Sequence, residues 1–351
     1  MHLRAQNIMA SSRMFLLVIC IVIIIHSPIA IMGDKIDIGV CYGMVADNLP
    51  SATEVISLYK KYSIGKLRLF DPNPDALQAL RGSDIDVTLG VKNQDIPIIA
   101  AGIEGATSWF TTNVQPYIND VTFAFISVGN EAIPGEFASN IARAMINLQA
   151  VLSDHNLNGI TVTTTVATFV LGISYPPSAS IFSPEAQSAM VDVITFLSIR
   201  GSPLMVNIYP YFAYASDPDH VRLDYVQFTA QDPVVVDGNL SYYNLFDAVV
   251  DAFYWAMEKQ GVTNVGVAVS ESGWPSAGNG DFTTPELASI YNKNFVQHVL
   301  SNVGTPKRPG AYIEGFIFAM FNENLKPNGV EQNWGLFYPN KEPATQVFDT
   351  S

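Results

Sequence analysis

Between residues 36 and 323 the sequence repeats one alternation: a short run of β-branched and aromatic residues, then a segment whose apolar positions have helical spacing. The runs are IDIGVCYG (36–43), KLRLF (66–70), DVTLGVK (86–92), VTFAFISVGNE (121–131), GITVTTTVA (159–167), PLMVNIYPYFAY (203–214), VGVAVSESGW (265–274) and AYIEGFIFAMFNE (311–323). Most of them lack a polar face. A strand of that kind is covered on both sides, the condition of a parallel sheet clothed in helices. In the first intervening segment Pro50 and Ser51 open the turn, and Val55, Leu58, Tyr59 and Tyr62 share a face. Eight such units in about 320 residues match a closed (β/α)8 barrel of the TIM type better than an open doubly wound sheet. No G-x-G-x-x-G follows the first run, no G-K-[ST] loop occurs, and no domain linker is visible. The expectation is one α/β domain, with the irregular stretches 168–183 and 212–241 as insertions on the rim that build a groove wall.

The first 33 residues read separately. Arg4 and Arg13 precede the unbroken apolar run MFLLVICIVIII (14–25), which His26, Ser27 and Pro28 end. Ala30 and Gly33 offer cleavage sites, so 1–33 is predicted as a secretory signal and 34–351 as the barrel. Twelve apolar residues are short for a bilayer span. The formal charge is −14, and every acid lies at Asp34 or later, so loss of the two leader arginines takes it to −16. That sign disfavours nucleic acid and anionic membrane as partners and suits a neutral ligand. Cys41 is then the single remaining cysteine, expected as a buried small hydrophobe. No histidine pair has metal-ligand spacing, and no metal or cofactor is expected. Asn239, in NLS (239–241), is the sole N-glycosylation candidate. The chain closes on QVFDTS, without a lipid-anchor signal. A monomer is the default for such a barrel.

In a (β/α)8 barrel the strand C-termini converge on one face, and chemistry gathers there. The second run ends at Arg68 and Phe70. The fourth ends at Asn130 and Glu131, the sixth at Asn207, Tyr209 and Tyr211. The seventh ends with Glu271 and Trp274, and the eighth leads to Phe318, Glu323 and Lys326. Glu131 and Glu271 would face each other across the mouth. Paired carboxylates among aromatic rings suit cleavage of a glycosidic bond: one protonates the leaving oxygen while the other attacks or activates water. The two must differ in proton affinity. Other readings stay open at several positions. Glu323 and Lys326 can form an ion pair that braces the loop. Arg68 can hold a carboxylate or fill a barrel layer, Asn130 can cap the next turn, and Tyr42, Tyr209 and Tyr211 can simply pack.

With IGVCYG (38–43), LRLFDPNPDALQALRG (67–82), FISVGNEAIPG (125–135), VNIYPYF (206–212), VSESGWPSAG (269–278), FAMFNENLKP and EQNWGLFYP (318–339), the chain resembles the plant β-1,3-glucanases of glycoside hydrolase family 17. The resemblance implies endo-hydrolysis of (1→3)-β-glucan with retention, Glu131 as acid/base and Glu271 as nucleophile. It implies that Asn130 holds the sugar 2-OH and that Glu323, Lys326 and Glu331 form a supporting charged cluster. Tyr42 and Phe318 match groove positions, and Asn207, Tyr209 and Trp274 are further candidates for sugar contacts. Phe70 departs from the tyrosine common in the family, which removes a hydroxyl near the substrate. Mixed-linkage β-1,3;1,4-glucan and a non-catalytic glycan-binding role are the alternatives. The resemblance also implies a plant protein of the cell-wall space, the vacuole being disfavoured by the short C-terminus, with a role in wall remodelling or defence.

Overall fold

The computed structural model describes residues 35–348. The predicted leader and its cleavage site lie outside the described residues. Eight parallel strands close into a barrel: β1 (Ile36–Cys41), β2 (Ile64–Leu69), β3 (Asp86–Val91), β4 (Thr122–Asn130), β5 (Thr161–Ala167), β6 (Leu204–Asn207), β7 (Val267–Ser272) and β8 (Gly315–Ile317). Each strand pairs with the next in sequence, and β8 returns to β1 through Gly39 opposite Phe316 and Val40 opposite Ile317. β2, β6, β7 and β8 are buried along their whole length, as unbroken apolar runs require.

Several helices begin at side-chain caps. Ser51 and Glu54 form a reciprocal capping box before the helix Ala52–Lys61. Asn73, Ser183 and Thr284 each cap a helix whose first residue is proline, at Pro74, Pro184 and Pro285. The side-chain oxygen satisfies an orphan N–H, and proline starts the turn with its φ already set. Apolar faces of these helices then close over the barrel, with Tyr59, Leu77, Val193 and Phe295 fully buried or nearly so.

Two runs are shorter than expected. In 203–214 the strand stops at Asn207, and Pro210 opens a helix to Ser216, because proline cannot join a central ladder. In 311–323 only Gly315–Ile317 pairs as a strand. The residues after it are tied to the end of β1 and to the closing segment, as in Met320 N–H to the Cys41 carbonyl and Leu336 N–H to the Ala319 carbonyl, at 2.8 Å each. The rim insertions have structure of their own. One carries the antiparallel pair Leu171–Ile173 and Ile181–Phe182, the other the pair Val235–Asp237 and Leu240–Tyr242. Asp237 joins them by accepting from both the amide and the hydroxyl of Ser178, at 2.6 Å each. Cys41 is buried as expected, its Sγ donating to the Ser270 carbonyl at 3.3 Å, and burial pushes the thiol up to about 12.

Candidate active site

The strand C-termini open into a cavity of about 830 Å³. Glu131, Glu271, Asn130 and Asn207 line it, with Tyr42, Phe70, Tyr209 and Phe318. Glu323, Lys326 and Glu331 complete its charged side. One constellation therefore gathers nearly every residue singled out from strand ends.

Glu271 is 5% exposed, and both of its oxygens are held. Oε1 accepts from Arg68 Nη1 at 2.6 Å, and Oε2 accepts from the Tyr209 hydroxyl at 2.6 Å. Arg68 lies beneath the cavity, 2% exposed, and also donates to the Ser270 carbonyl at 3.0 Å and to Asn130 Oδ1 at 2.8 Å. Of the readings open for Arg68, carboxylate partner is the one realised. Phe70 stacks on the guanidinium, ring centre 4.5 Å from Cζ, and so covers it from the cavity. Phe70 meets Phe318 edge to face at 6.1 Å.

Glu131 is arranged differently. It is half-buried, and its backbone is left-handed at φ +52°. Oε1 accepts from Asn207 Nδ2 at 2.7 Å. Asn207 is oriented in turn by Ser270, whose hydroxyl donates to Asn207 Oδ1 at 2.8 Å. Burial raises the Glu131 carboxyl above the usual range; the Asn207 bond opposes this, and the negative charge of Glu271 adds to it. The two carboxylates are linked through Asn207, Asn130 and Arg68: one held by a cation and a phenol, the other by a neutral amide. Burial and the Glu271 charge also keep the Tyr209 phenol protonated far above its ordinary value.

Glu323 is 2% exposed, pairs with Lys326 at 3.0 Å and accepts from Val45 N–H at 2.8 Å. It thereby braces the loop after β1 against the loop after β8. Gly43 permits this, since a Cβ there would lie 2.4 Å from the carboxylate. Lys326 Nζ stands 4.2 Å above the centre of the Phe318 ring.

One expectation is corrected. Trp274 is 1% exposed and does not line the cavity. Its indole N–H donates to the Phe282 carbonyl at 2.9 Å, and its ring packs against Tyr211 and Tyr291. It anchors the loop after β7 from below, so it cannot stack on a sugar. Tyr211 belongs to the same packing, 2% exposed. Asn239 lies away from the cavity, exposed at the two-residue turn of the Val235–Tyr242 hairpin.

Sequence reasoning missed three rings. Trp334 lines the cavity from the closing segment and packs edge to face on Tyr209 at 5.0 Å. Phe169 and Phe212, about half exposed at 50% and 47%, line it from the two rim insertions. Both insertions were expected as groove walls, but nothing in the sequence said which of their residues face inward.

The chain is similar to known plant proteins in sequence and in fold. A probable glucan endo-1,3-beta-glucosidase of Arabidopsis thaliana, BG4, is 52% identical over 313 residues, 89% of this chain and 90% of its own. Lichenase-2 of Hordeum vulgare is 48% identical over 305 residues, covering 87% of this chain and 96% of its own. A solved structure described among two plant beta-glucan endohydrolases with distinct substrate specificities superposes with a TM-score of 0.85 at 46% identity, over 89% of this chain and all of that one. The family model of the glycosyl hydrolases family 17 matches residues 38–348, and the chain belongs to that family of glycoside hydrolases.

Proposed function

We propose that the protein is an endo-acting β-1,3-glucanase that works with retention of configuration. The observation that carries this reading is the unequal setting of two carboxylates opening on one cavity. Glu271 is an anion gripped by Arg68 and Tyr209, aimed for attack. Glu131, its proton affinity raised by burial and by the Glu271 charge, is the better placed of the two to give a proton.

In the first step a Glu271 oxygen bonds to the anomeric carbon, the C–O bond to the leaving sugar breaks, and the Glu131 proton goes to the departing oxygen. In the second step Glu131, now ionised, takes a proton from water. The water oxygen bonds to the anomeric carbon and Glu271 is released. Asn130, with its side-chain oxygen held by Arg68, keeps its amide N–H group for the sugar 2-OH. Retention needs the carboxyl groups roughly 5 Å apart, against roughly 6.5–9.5 Å for inversion. Phe70, Phe318 and Trp334 offer apolar faces to the C–H faces of a neutral glucan.

The BG4 likeness supports β-1,3 linkages, and Lichenase-2 makes linkage the point to test. Purified protein is incubated with laminarin, curdlan and mixed-linkage β-1,3;1,4-glucan, with reducing ends counted and the first-formed anomer read by NMR. Faster cleavage of laminarin with β-anomeric product is expected. Preference for the mixed polymer would overturn the linkage assignment, α-anomeric product would overturn retention, and no cleavage of any would leave a glycan-binding role. Secretion to the cell-wall space belongs to the same reading, supported by the leader pattern and the exposed Asn239 turn. Protein recovered from a plant secretory host should lose mass on glycosidase treatment, and an Asn239→Gln variant should not; an unchanged wild-type mass would refute the modification.

A further inference from the structure

We infer that Asn93 is a positioning residue for the acid/base, an inference that rests on the assignment of Glu131 to that role. β3 and β4 pair from Thr88 opposite Phe125 to Val91 opposite Val128. There β3 ends, while β4 runs on to Asn130. The last residues of β4 thus lose their neighbour on that side just before Glu131. A side chain takes the neighbour's place. Asn93 Oδ1 accepts from the Asn130 amide N–H at 2.9 Å, and Asn93 Nδ2 donates to the Asn130 carbonyl at 3.0 Å. One carboxamide thereby makes both hydrogen bonds that a strand peptide would make, from the first residue of the turn Asn93–Asp95.

The need for such a clamp lies on either side of Asn130. Gly129 has φ +80° and Glu131 φ +52°, so the chain turns through two left-handed residues on either side of one clamped residue. Glycine takes that conformation freely, whereas a glutamate does so only where its surroundings hold it there. At Gly129 a Cβ would lie 2.8 Å from Ile96 Cδ1 and 3.0 Å from Asn93 Oδ1, so the clamp sits hard against the turn. The remaining tether of the Glu131 backbone is its N–H to the Thr165 carbonyl at 3.0 Å. Asn93 does not line the cavity and so acts through the backbone that aims Asn130 and Glu131.

A misplaced acid/base has a signature that general damage lacks. Protonation matters for a poor leaving group such as a sugar alcohol, and hardly at all for a dinitrophenolate. The test measures kcat/KM of Asn93→Ala and Asn93→Asp on laminarin and on a 2,4-dinitrophenyl β-glycoside of laminaribiose, with Glu131→Ala as control. Asn93→Asp has nearly the native shape and keeps an acceptor for Asn130 N–H while losing the donor, so it reports even if the alanine variant fails to fold. Both variants should lose roughly 10- to 100-fold on laminarin and less than about threefold on the aryl glycoside, as a weakened form of the control. Equal losses on the two substrates, or none on either, in variants whose control shows the leaving-group dependence would overturn the role of Asn93 alone. Absence of that dependence in Glu131→Ala would overturn the Glu131 assignment, and the role of Asn93 with it.

Discussion

The Arg68–Glu271 pair is the most exacting place to test the energetics of this site. Arg68→Met keeps most of the side-chain volume and removes every donor. Glu271 would then stay buried, 5% exposed, with Tyr209 alone on its carboxylate. Breaking a buried pair from one side costs about 3–5 kcal/mol, since the remaining charge is uncompensated. In a domain of this size that corresponds to roughly 6–10 °C in the thermal midpoint, at about 2 °C per kcal/mol. Glu271→Gln removes the charge instead; Arg68 keeps its bonds to the Ser270 carbonyl, Asn130 and Thr165, so the cost should be smaller. With both changes no stranded charge remains. The double variant is therefore expected to be at least about 2 kcal/mol more stable than the sum of the single losses. Calorimetry or denaturant titration of the four proteins at one pH gives the cycle. Additivity within about 0.5 kcal/mol would show that the pair is not coupled and that Arg68 does not hold the nucleophile.

Other consequences follow from the same contacts. Because the Glu131 carboxyl is raised, hydrolysis of laminarin should persist above the ordinary carboxylate range and fall as pH rises through that raised value; a limb that moves elsewhere in Glu131→Gln, with undiminished turnover, would exclude it as the acid. Trp274→Ala should lower stability by about 3–5 kcal/mol and leave KM of the folded enzyme within a small factor; a large rise in KM with unchanged stability would return the ring to the substrate. Asp251, fully buried and raised to about 6 by burial, binds its proton more tightly folded than unfolded, so its ionisation subtracts stability as pH climbs from about 4 through 6. An Asp251→Asn variant should lack that decline, about 3 kcal/mol in all, and parallel pH–stability curves for the two proteins would refute the assignment.

Much of this architecture was legible in the residues. Eight strands, most of them without a polar face, leave few folds other than a closed barrel. Once the strands are placed, their last residues must meet, so Glu131, Glu271, Asn207 and Tyr209 could be brought together from spacing alone. Direction was harder to read. Trp274 sits two residues beyond a strand end, where a side chain can point into the mouth or under the loop, and only the tyrosines beneath it decide. Trp334 was hidden for the opposite reason: its segment has no periodicity and reaches the cavity through long-range pairing, Ala319 N–H to the Trp334 carbonyl at 3.0 Å. Asn93 carried no signal at all, since a carboxamide in a turn is ordinary until its partner is known.

The most direct test of the central claim is covalent trapping of the nucleophile. A 2-deoxy-2-fluoro-β-laminaribiosyl fluoride slows both steps but blocks the second more, so the glycosyl-enzyme accumulates. After proteolysis, mass spectrometry should find the added fluorosugar on the Glu271 carboxylate. Label on Glu131 or Glu323, or release of α-anomeric product from untreated enzyme, would contradict attack by Glu271 with retention.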